Sequence, residues 1–202
     1  MIGVEWELLL EDGGKLTGTR FGTGTRIVLL LHGRNFDQTS WHDVAEELAE
    51  DGLTAIAVDF RGYGKSSELP PGETHGRDAA RAVQGLRRDG AGDVCLLGGS
   101  MGGAAALEAV ALQGAQASRV ATLSPAVDAD EVAPHMPQVP TLLLASRDEP
   151  YVDAATFQAL SPHPVEIHLY PGDAHNQALL RGPHGADVRA RLRQFLTADL
   201  EG

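Results

Sequence analysis

Short apolar runs that alternate with helical patterns constrain the fold of this chain most. After the glycine-rich break at residues 22–24, the runs that resemble buried strands span residues 27–31, 54–58, 94–97, 119–123, 141–145 and 165–170. The segments of helical composition between and after them span residues 41–50, 75–88, 103–112, 152–160 and 186–200. Unbroken apolar runs of strand length are typical of strands that are covered on both faces. The alternation therefore predicts an α/β fold, a mostly parallel sheet of about eight strands with helices on both faces, stacked as a three-layer sandwich.

The first residues follow a different pattern. Two strand-like runs, residues 4–10 and 15–21, are joined by Glu11-Asp12-Gly13-Gly14. Asp-Gly and Gly-Gly pairs are strong signals of a tight turn between antiparallel strands, so we expect an N-terminal antiparallel hairpin. The irregular stretches at 68–72 and 133–140 are short enough to be surface loops. We therefore expect residues 1–202 to form a single domain.

The amino-acid composition limits which classes of molecule the chain is expected to bind. The formal net charge is −12, which argues against nucleic acid or an anionic membrane, because both attract clustered Lys and Arg. No apolar run is long enough to span a membrane, and the first residues lack a basic segment that leads into an apolar one. We therefore expect a cytoplasmic protein that acts on a small molecule. The single cysteine, Cys95, lies in an apolar run, which favours a buried thiol and excludes an internal disulfide.

The segment Gly98-Gly99-Ser100-Met101-Gly102 matches the pattern Gly-x-Ser-x-Gly between a predicted strand and a predicted helix. Glycine on either side of the serine lets neighbouring backbone pass close to a very sharp turn. Such a turn exposes the hydroxyl at a helix N-terminus, where free N–H groups favour a developing negative charge. Ser100 is therefore a candidate nucleophile, although a serine at this junction can instead simply cap the helix.

Residues that follow the predicted strands supply partners for this serine. In an open parallel sheet, ligands bind beyond the carboxyl ends of the strands. Asp148 follows the strand at 141–145, and His175 follows the strand at 165–170. A nucleophilic serine needs a base to take its proton and an acid to orient the base. We favour His175 as the base and Asp148 as the acid, on the same edge of the sheet as Ser100.

Other histidines and carboxylates compete for these two roles. The rival histidines are His163, His168 and His184, and the rival acids are Asp128 and Asp130, which follow the strand at 119–123. His168 lies inside a predicted strand and His163 in a Pro-His-Pro turn, so His184 is the main rival of His175. The choice between Asp148 and the two acids after the preceding strand stays open.

Several motifs together resemble the α/β-hydrolases that use a serine nucleophile. The motifs are His32-Gly33 after an apolar strand, Asp59-x-Arg61-Gly62-x-Gly64-x-Ser66, the Gly-x-Ser-x-Gly turn, Asp148 and Gly172-x-x-His175. The resemblance runs from residue 4 to the C-terminus and implies the α/β-hydrolase fold. It implies that Ser100 attacks a carbonyl, that His175 acts as general base and then general acid, and that Asp148 orients His175. It also implies that some motif residues hold loops rather than contact substrate, namely His32, Asp59, Arg61 and Ser66.

The resemblance further implies an oxyanion hole beside an open pocket. The backbone N–H groups of Arg34 and Met101 are the expected oxyanion donors. Many relatives insert a cap between the strands at 119–123 and 141–145, but residues 124–140 leave room for only a loop or one short helix. We therefore expect a hydrolase without a cap domain. The candidate pocket residues are Asn35, Phe36, Tyr151, Val152 and Asn176.

These residues predict a small serine esterase. We expect hydrolysis of a carboxylic ester or thioester through an acyl-enzyme, a reaction that needs no cofactor and no metal ion. The alternative is a hydrolase-like fold that serves as a non-catalytic binding or interaction module. Acyl transfer to peroxide or an alcohol shares the same acyl-enzyme and is a further alternative within the fold. The sequence leaves the acyl group and the oligomeric state open.

Overall fold

One mixed sheet runs through the centre of the protein. The computed structural model describes residues 2–112, 116–137 and 139–198. Within them the strands are β1 (Val4–Leu9), β2 (Lys15–Phe21), β3 (Arg26–Leu31), β4 (Thr54–Asp59), β5 (Asp93–Gly99), β6 (Arg119–Leu123), β7 (Thr141–Ser146) and β8 (Glu166–Tyr170). They form one sheet in the order β1-β2-β4-β3-β5-β6-β7-β8. From β4 to β8 across the sheet every neighbouring pair is parallel, so the carboxyl ends of these strands share one edge.

Helices cover both faces of this sheet. They are α1 (His42–Glu50), α2 (His75–Arg88), α3 (Met101–Ala111), α4 (Ala129–Val132), α5 (Ala154–Leu160), α6 (Ala178–Arg181) and α7 (Gly185–Thr197), with 3₁₀ turns at Gln38–Trp41 and Ala133–His135. Leu29 and Leu31 of β3 pack with α2, α3, α4 and α5 on one face. Val28 and Leu30 pack with α1, α6 and α7 on the other. Side chains of a strand alternate between faces, which explains why an unbroken apolar run is needed here.

The N-terminal hairpin forms as the sequence predicts. β1 pairs with β2 in antiparallel register, from Val4 opposite Arg20 to Leu9 opposite Lys15. The Leu10 N–H donates to the Gly14 carbonyl at 2.7 Å, and Gly13 adopts a φ of 82° in the turn. β2 then joins the parallel strands by an antiparallel pairing with β4. The predicted fold class, a mostly parallel sheet with an antiparallel opening hairpin, is confirmed.

Element boundaries differ from the predicted ones mainly at the Gly-x-Ser-x-Gly turn. β5 continues through Gly98 and Gly99, two residues that favour turns, because their backbones pair with Leu31 on β3 and with Thr122 and Leu123 on β6. α3 therefore begins at Met101, directly after Ser100. Residues 199–200 of the predicted last helix and residue 138 of the predicted loop at 133–140 lie outside the described residues.

The connection between β6 and β7 bears on the size of any cap. In its described part, residues 124–137 and 139–140, it contains α4 and one 3₁₀ turn, four and three residues long. Elements of this length cannot form a multi-helix cap over the carboxyl edge. None of the helices in the described ranges is long and apolar enough to cross a membrane.

Candidate active site

Ser100 lies at the sharp turn between β5 and α3. Its backbone adopts φ 53° and ψ −117°, a conformation that costs a residue with a side chain on the order of 1–3 kcal/mol. The Ser100 N–H donates to the Leu123 carbonyl at 2.9 Å, and the Ser100 carbonyl accepts from the Ala104 N–H at 2.9 Å. These bonds to β6 and α3 hold the turn in place.

The two glycines that flank the serine are required by close backbone approach. A Cβ atom at Gly98 would clash with the Gly102 carbonyl, and one at Gly102 would clash with the Leu31 carbonyl at the end of β3. The turn, the first turn of α3 and the end of β3 therefore pack closer together than any side chain allows. This packing brings the segment after β3 next to the serine.

His175 hydrogen-bonds to Ser100 on one side and to a carboxylate on the other. Its Nε2 lies 2.9 Å from Ser100 Oγ, and its Nδ1 lies 2.5 Å from Glu149 Oε2. An ionised carboxylate can only accept, so Nδ1 carries the hydrogen and Nε2 is left to accept the serine proton. The Glu149 side chain is only 1% exposed, whereas that of His175 is 31% exposed. The arrangement has the connectivity of a Ser-His-acid triad.

The predicted contact between His175 and Asp148 is wrong, because the neighbouring residue makes it. The Arg147 and Asp148 N–H groups donate to the Tyr170 and Gly172 carbonyls, so backbone pairing to the chain after β8 continues past the end of β7. This extension directs the Asp148 side chain to solvent and turns Glu149 inward. The sequence did carry the signal, since two adjacent carboxylates follow this strand and glutamate also serves as the acid of such triads.

The rival residues lie elsewhere. Asp128 caps α4 by accepting the Asp130 N–H at 3.0 Å, and both side chains are exposed. His168 hydrogen-bonds to Glu166 on β8 at 2.7 Å. The His184 ring packs against Tyr170, with 5.4 Å between ring centroids, and His163 accepts from Ser161 through its backbone carbonyl. Among the described residues, none of these five side chains is hydrogen-bonded to Ser100, whose Oγ is bonded to His175.

The buried ring of His32 fixes the start of the loop that follows β3. The His32 ring is fully buried, its Nε2 accepts from the Phe60 N–H at 3.2 Å, and its Nδ1 donates to the Gly33 carbonyl at 2.8 Å. Burial lowers the pKa of His32, which favours the neutral ring that these two bonds require. The Gly33 carbonyl also accepts from the Phe36 N–H at 3.1 Å, which closes a tight turn around Arg34.

Neither of the two expected oxyanion donors has an N–H group that is hydrogen-bonded to another described residue. The Met101 N–H is in the first turn of α3, where helix geometry provides no carbonyl partner. Within the part of the chain that the structure describes, the Arg34 N–H makes no hydrogen bond. The Arg34 side chain is exposed, and Met101 is half-buried beside Ser100.

The predicted pocket residues divide into three groups. Asn35 and Phe36 are exposed on the loop after β3, with Phe36 44% exposed. Tyr151 is 55% exposed and lies with its ring centroid 4.7 Å from that of His175, and Val152 beside it is half-buried against the core. The prediction that Asn176 lines an open pocket is wrong, because this residue is only 3% exposed.

One residue near the site escaped the sequence reasoning. The Tyr63 hydroxyl lies 3.8 Å from Met101 Sδ, and its ring meets His32 edge to face with centroids 4.7 Å apart. It belongs to the motif that follows β4, whose other polar members hold loops. Ser66 Oγ donates to the Asp59 carbonyl at 2.7 Å, and Asp59 Oδ1 accepts from the Gln38 N–H at 3.0 Å.

Arg61 and Cys95 are buried and lie away from the triad. The Arg61 guanidinium is 1% exposed and binds Asp78 through two nitrogens, which raises the pKa of Arg61. Cys95 is fully buried in β5, and burial raises the pKa of its thiol to about 12. A thiol that stays protonated is not a competing nucleophile.

Comparisons with known proteins show which family the chain belongs to. The model of a family described as the alpha/beta hydrolase family matches residues 28–200. A curated relative, Lipase LipV of Mycobacterium tuberculosis, is 31% identical over 176 residues, which cover 82% of this chain and 64% of that protein. This chain thus spans less than two thirds of the length of that relative.

Solved structures share the fold at low sequence identity. The esterase Pf2001 of Pyrococcus furiosus superposes with a TM-score of 0.77 at 18% identity, over 96% of this chain and 90% of that one. The esterase EaEST of Exiguobacterium antarcticum gives a TM-score of 0.77 at 17% identity, over 95% of this chain and 99% of that one. With a family model that matches most of its length and this sheet order, the chain belongs to the α/β hydrolase family.

Proposed function

We propose that the protein is a serine hydrolase that cleaves a small carboxylic ester or thioester through an acyl-enzyme. The observation that carries the proposal is the hydrogen-bonded series Ser100, His175 and Glu149 at the carboxyl edge of the sheet. The relatives named lipase and esterase support ester hydrolysis as the class of reaction. A binding module would have no need of a strained serine aligned with a base and a buried acid.

The first half of the reaction forms the acyl-enzyme. Ser100 Oγ attacks the carbonyl carbon while His175 Nε2 takes the hydroxyl proton, and the carbonyl oxygen becomes an oxyanion. Glu149 stabilises the imidazolium that forms and keeps Nδ1 protonated. His175 then gives its proton to the leaving alcohol or thiol as the carbonyl re-forms. In the second half, water repeats these steps as nucleophile and releases the acid.

The oxyanion is bound by the N–H groups of Met101 and Arg34 in this proposal. Each donor of this kind contributes roughly 3–4 kcal/mol to the transition state, because its dipole is already oriented when the charge develops. The strained turn at Ser100 also supports transition-state binding, because it fixes the position of Ser100 Oγ relative to the Met101 N–H. The short connection after β6 leaves the acyl group in an open site, which favours small substrates that need no enclosing cap.

The test is hydrolysis of p-nitrophenyl esters of increasing acyl length by the wild type and by Ser100→Ala. We expect turnover by the wild type and a loss on the order of 10⁴- to 10⁶-fold in the variant, because the nucleophile is absent. Ser161→Ala is the matched control, since that hydroxyl bonds to the His163 carbonyl before β8, at the edge of the sheet opposite to the triad. Equal rates for the wild type and for folded Ser100→Ala would reject the proposal.

A further inference from the structure

The buried side chain of Asn176 forms a wedge between Gly33, which precedes Arg34, and Gly99, which precedes Ser100. It directly follows His175, is 3% exposed and adopts a φ of 57°, a left-handed conformation that asparagine tolerates better than most residues. The next residue, Gln177, donates from Nε2 to the Ser40 carbonyl at 3.1 Å and to Ser40 Oγ at 3.0 Å. The consecutive residues His175, Asn176 and Gln177 therefore provide the proposed base, a buried amide and hydrogen bonds to the segment after β3.

The Asn176 amide occupies the space that two glycines leave empty. A Cβ at Gly33 would lie 2.5 Å from Asn176 Nδ2, while its other near neighbours, in Phe36 and Gly99, would be at 3.4 and 3.5 Å, ordinary contact distances. A Cβ at Gly99 would clash with Asn176 Oδ1 and lie 2.8 Å from Asn176 Cγ. The amide thus lies between the loop that carries Arg34 and the turn that carries Ser100 and Met101.

Stability alone does not account for an amide in this place. Asn176 Oδ1 is buried and has no hydrogen-bond partner among the described residues. An unsatisfied buried polar group costs about 1–3 kcal/mol. What the side chain provides is volume and shape between two glycines.

We propose that Asn176 is a positioning residue that sets the separation of the two oxyanion donors. On one side it contacts Gly33, whose peptide leads to the Arg34 N–H, and on the other Gly99, two residues before the Met101 N–H. Without the amide, the loop after β3 can move toward the turn, and the two N–H groups no longer meet at one oxygen. The inference rests on the proposed function, because it assigns this wedge to the oxyanion hole of that reaction.

The test removes the wedge without straining the backbone. Asn176→Gly keeps the left-handed φ and deletes the amide. We expect kcat/KM for p-nitrophenyl acetate to fall about 10- to 100-fold, with most of the change in kcat, because displaced donors weaken the transition state more than the ground state. Affinity for phenylboronic acid, which forms a tetrahedral adduct with an active serine, is expected to fall by a similar factor.

Two further variants separate positioning from loss of stability. Ala178→Gly loosens the first turn of α6, two residues away, by roughly 1 kcal/mol and leaves the wedge intact, so its kcat is expected to stay within twofold of the wild type. Gly33→Ala brings a Cβ against Asn176 Nδ2 and is expected to lower kcat. In Gly33→Ala/Asn176→Gly the new methyl group fills part of the emptied space, so the double variant is expected to be more active than the product of the two single effects predicts.

The outcomes distinguish this inference from the function on which it rests. A kcat within threefold of the wild type in folded Asn176→Gly, an equal loss in Ala178→Gly, or strictly multiplicative single effects would overturn the positioning role. In each of those cases the loss of turnover in Ser100→Ala would leave the serine mechanism standing. If Asn176→Gly does not fold, Asn176→Ser, which keeps part of the side chain, is expected to show a smaller loss of the same kind, and a wild-type kcat there would overturn the inference.

Discussion

At the scale of single residues, the acid of the proposed triad depends on which of two neighbouring carboxylates turns inward. Asp148 and Glu149 differ by one position and one methylene group. Backbone pairing past the end of β7 exposes Asp148 and buries Glu149 against His175. The apolar pattern predicts β7 and places both carboxylates at the carboxyl edge of the sheet. The direction of each side chain, however, depends on where pairing between β7 and the chain after β8 stops.

The pair allows a matched test of the acid. Glu149→Gln keeps the size of the side chain but cannot hold the His175 tautomer, so kcat is expected to fall on the order of 10³- to 10⁴-fold, as for the acid of other triads. Asp148→Asn is expected to stay within about twofold of the wild type, because that carboxylate faces solvent. Steady-state kinetics on one p-nitrophenyl ester suffice for both. A large loss in Asp148→Asn with little change in Glu149→Gln would assign the acid to the exposed residue.

At the scale of elements, the strand-to-helix turn depends on backbone packing that glycine alone permits. Gly102 is in the first turn of α3, where alanine would otherwise favour the helix. A Cβ there meets the Leu31 carbonyl and lies 2.7 Å from the His32 carbonyl, both backbone atoms that cannot move aside as a side chain does. The helix, the end of β3 and the loop after β3 that carries Arg34 are therefore coupled through this one position.

Gly102→Ala is expected to lower the free energy of unfolding by about 1–3 kcal/mol, the usual cost of overpacking. Ester hydrolysis is expected to fall as well, since the clash displaces the segment that carries Arg34. Gly92→Ala is the control, because its nearest contact would be an ordinary 3.6 Å from the Thr25 carbonyl. Urea unfolding measures the free energy of unfolding of both variants. Equal values for Gly102→Ala and Gly92→Ala would contradict the packing argument.

The elements show how far sequence alone reaches. Patterns of apolar residues located β2, α2 and β6 at their observed bounds, because hydrophobic periodicity reports local burial directly. The continuation of β5 through Gly98 and Gly99 escaped prediction, since hydrogen bonds from neighbouring strands overrode two residues with low strand propensity. Asn176 was misplaced for a related reason, because a polar residue beside the candidate base His175 gives no local signal of burial.

At the scale of the whole molecule, buried neutral histidines link stability to pH. His32 and His75 pack around Phe60 and Tyr63, beneath the loop that follows β3. Burial lowers the pKa of both histidines, more than the nearby carboxylates raise it. The folded protein therefore holds both rings neutral at a pH where unfolded histidines, with a pKa of about 6.5, begin to take up protons.

The free energy of unfolding is accordingly expected to fall as pH drops below about 6.5, by up to roughly 1.4 kcal/mol per pH unit for each histidine. The loss stops below the pKa values of the folded state. Urea unfolding between pH 8 and pH 5.5 measures this loss in the free energy of unfolding. Carboxylates whose pKa is lowered in the folded protein affect stability only at lower pH, outside this range. His75→Phe keeps a ring against Phe60 and is expected to reduce the slope. A flat profile in the wild type, or an unchanged slope in that variant, would contradict the account.

In the proposed reaction, Ser100 is a nucleophile that the folded site activates. The most direct measurement is treatment of the folded protein with a fluorophosphonate, followed by intact-mass and peptide mass spectrometry. We expect one adduct per chain, located on Ser100, that is absent from Ser100→Ala and from the urea-unfolded protein, because activation needs His175 and Glu149 in place. A folded protein that stays unlabelled, or an adduct on a different residue, would contradict it.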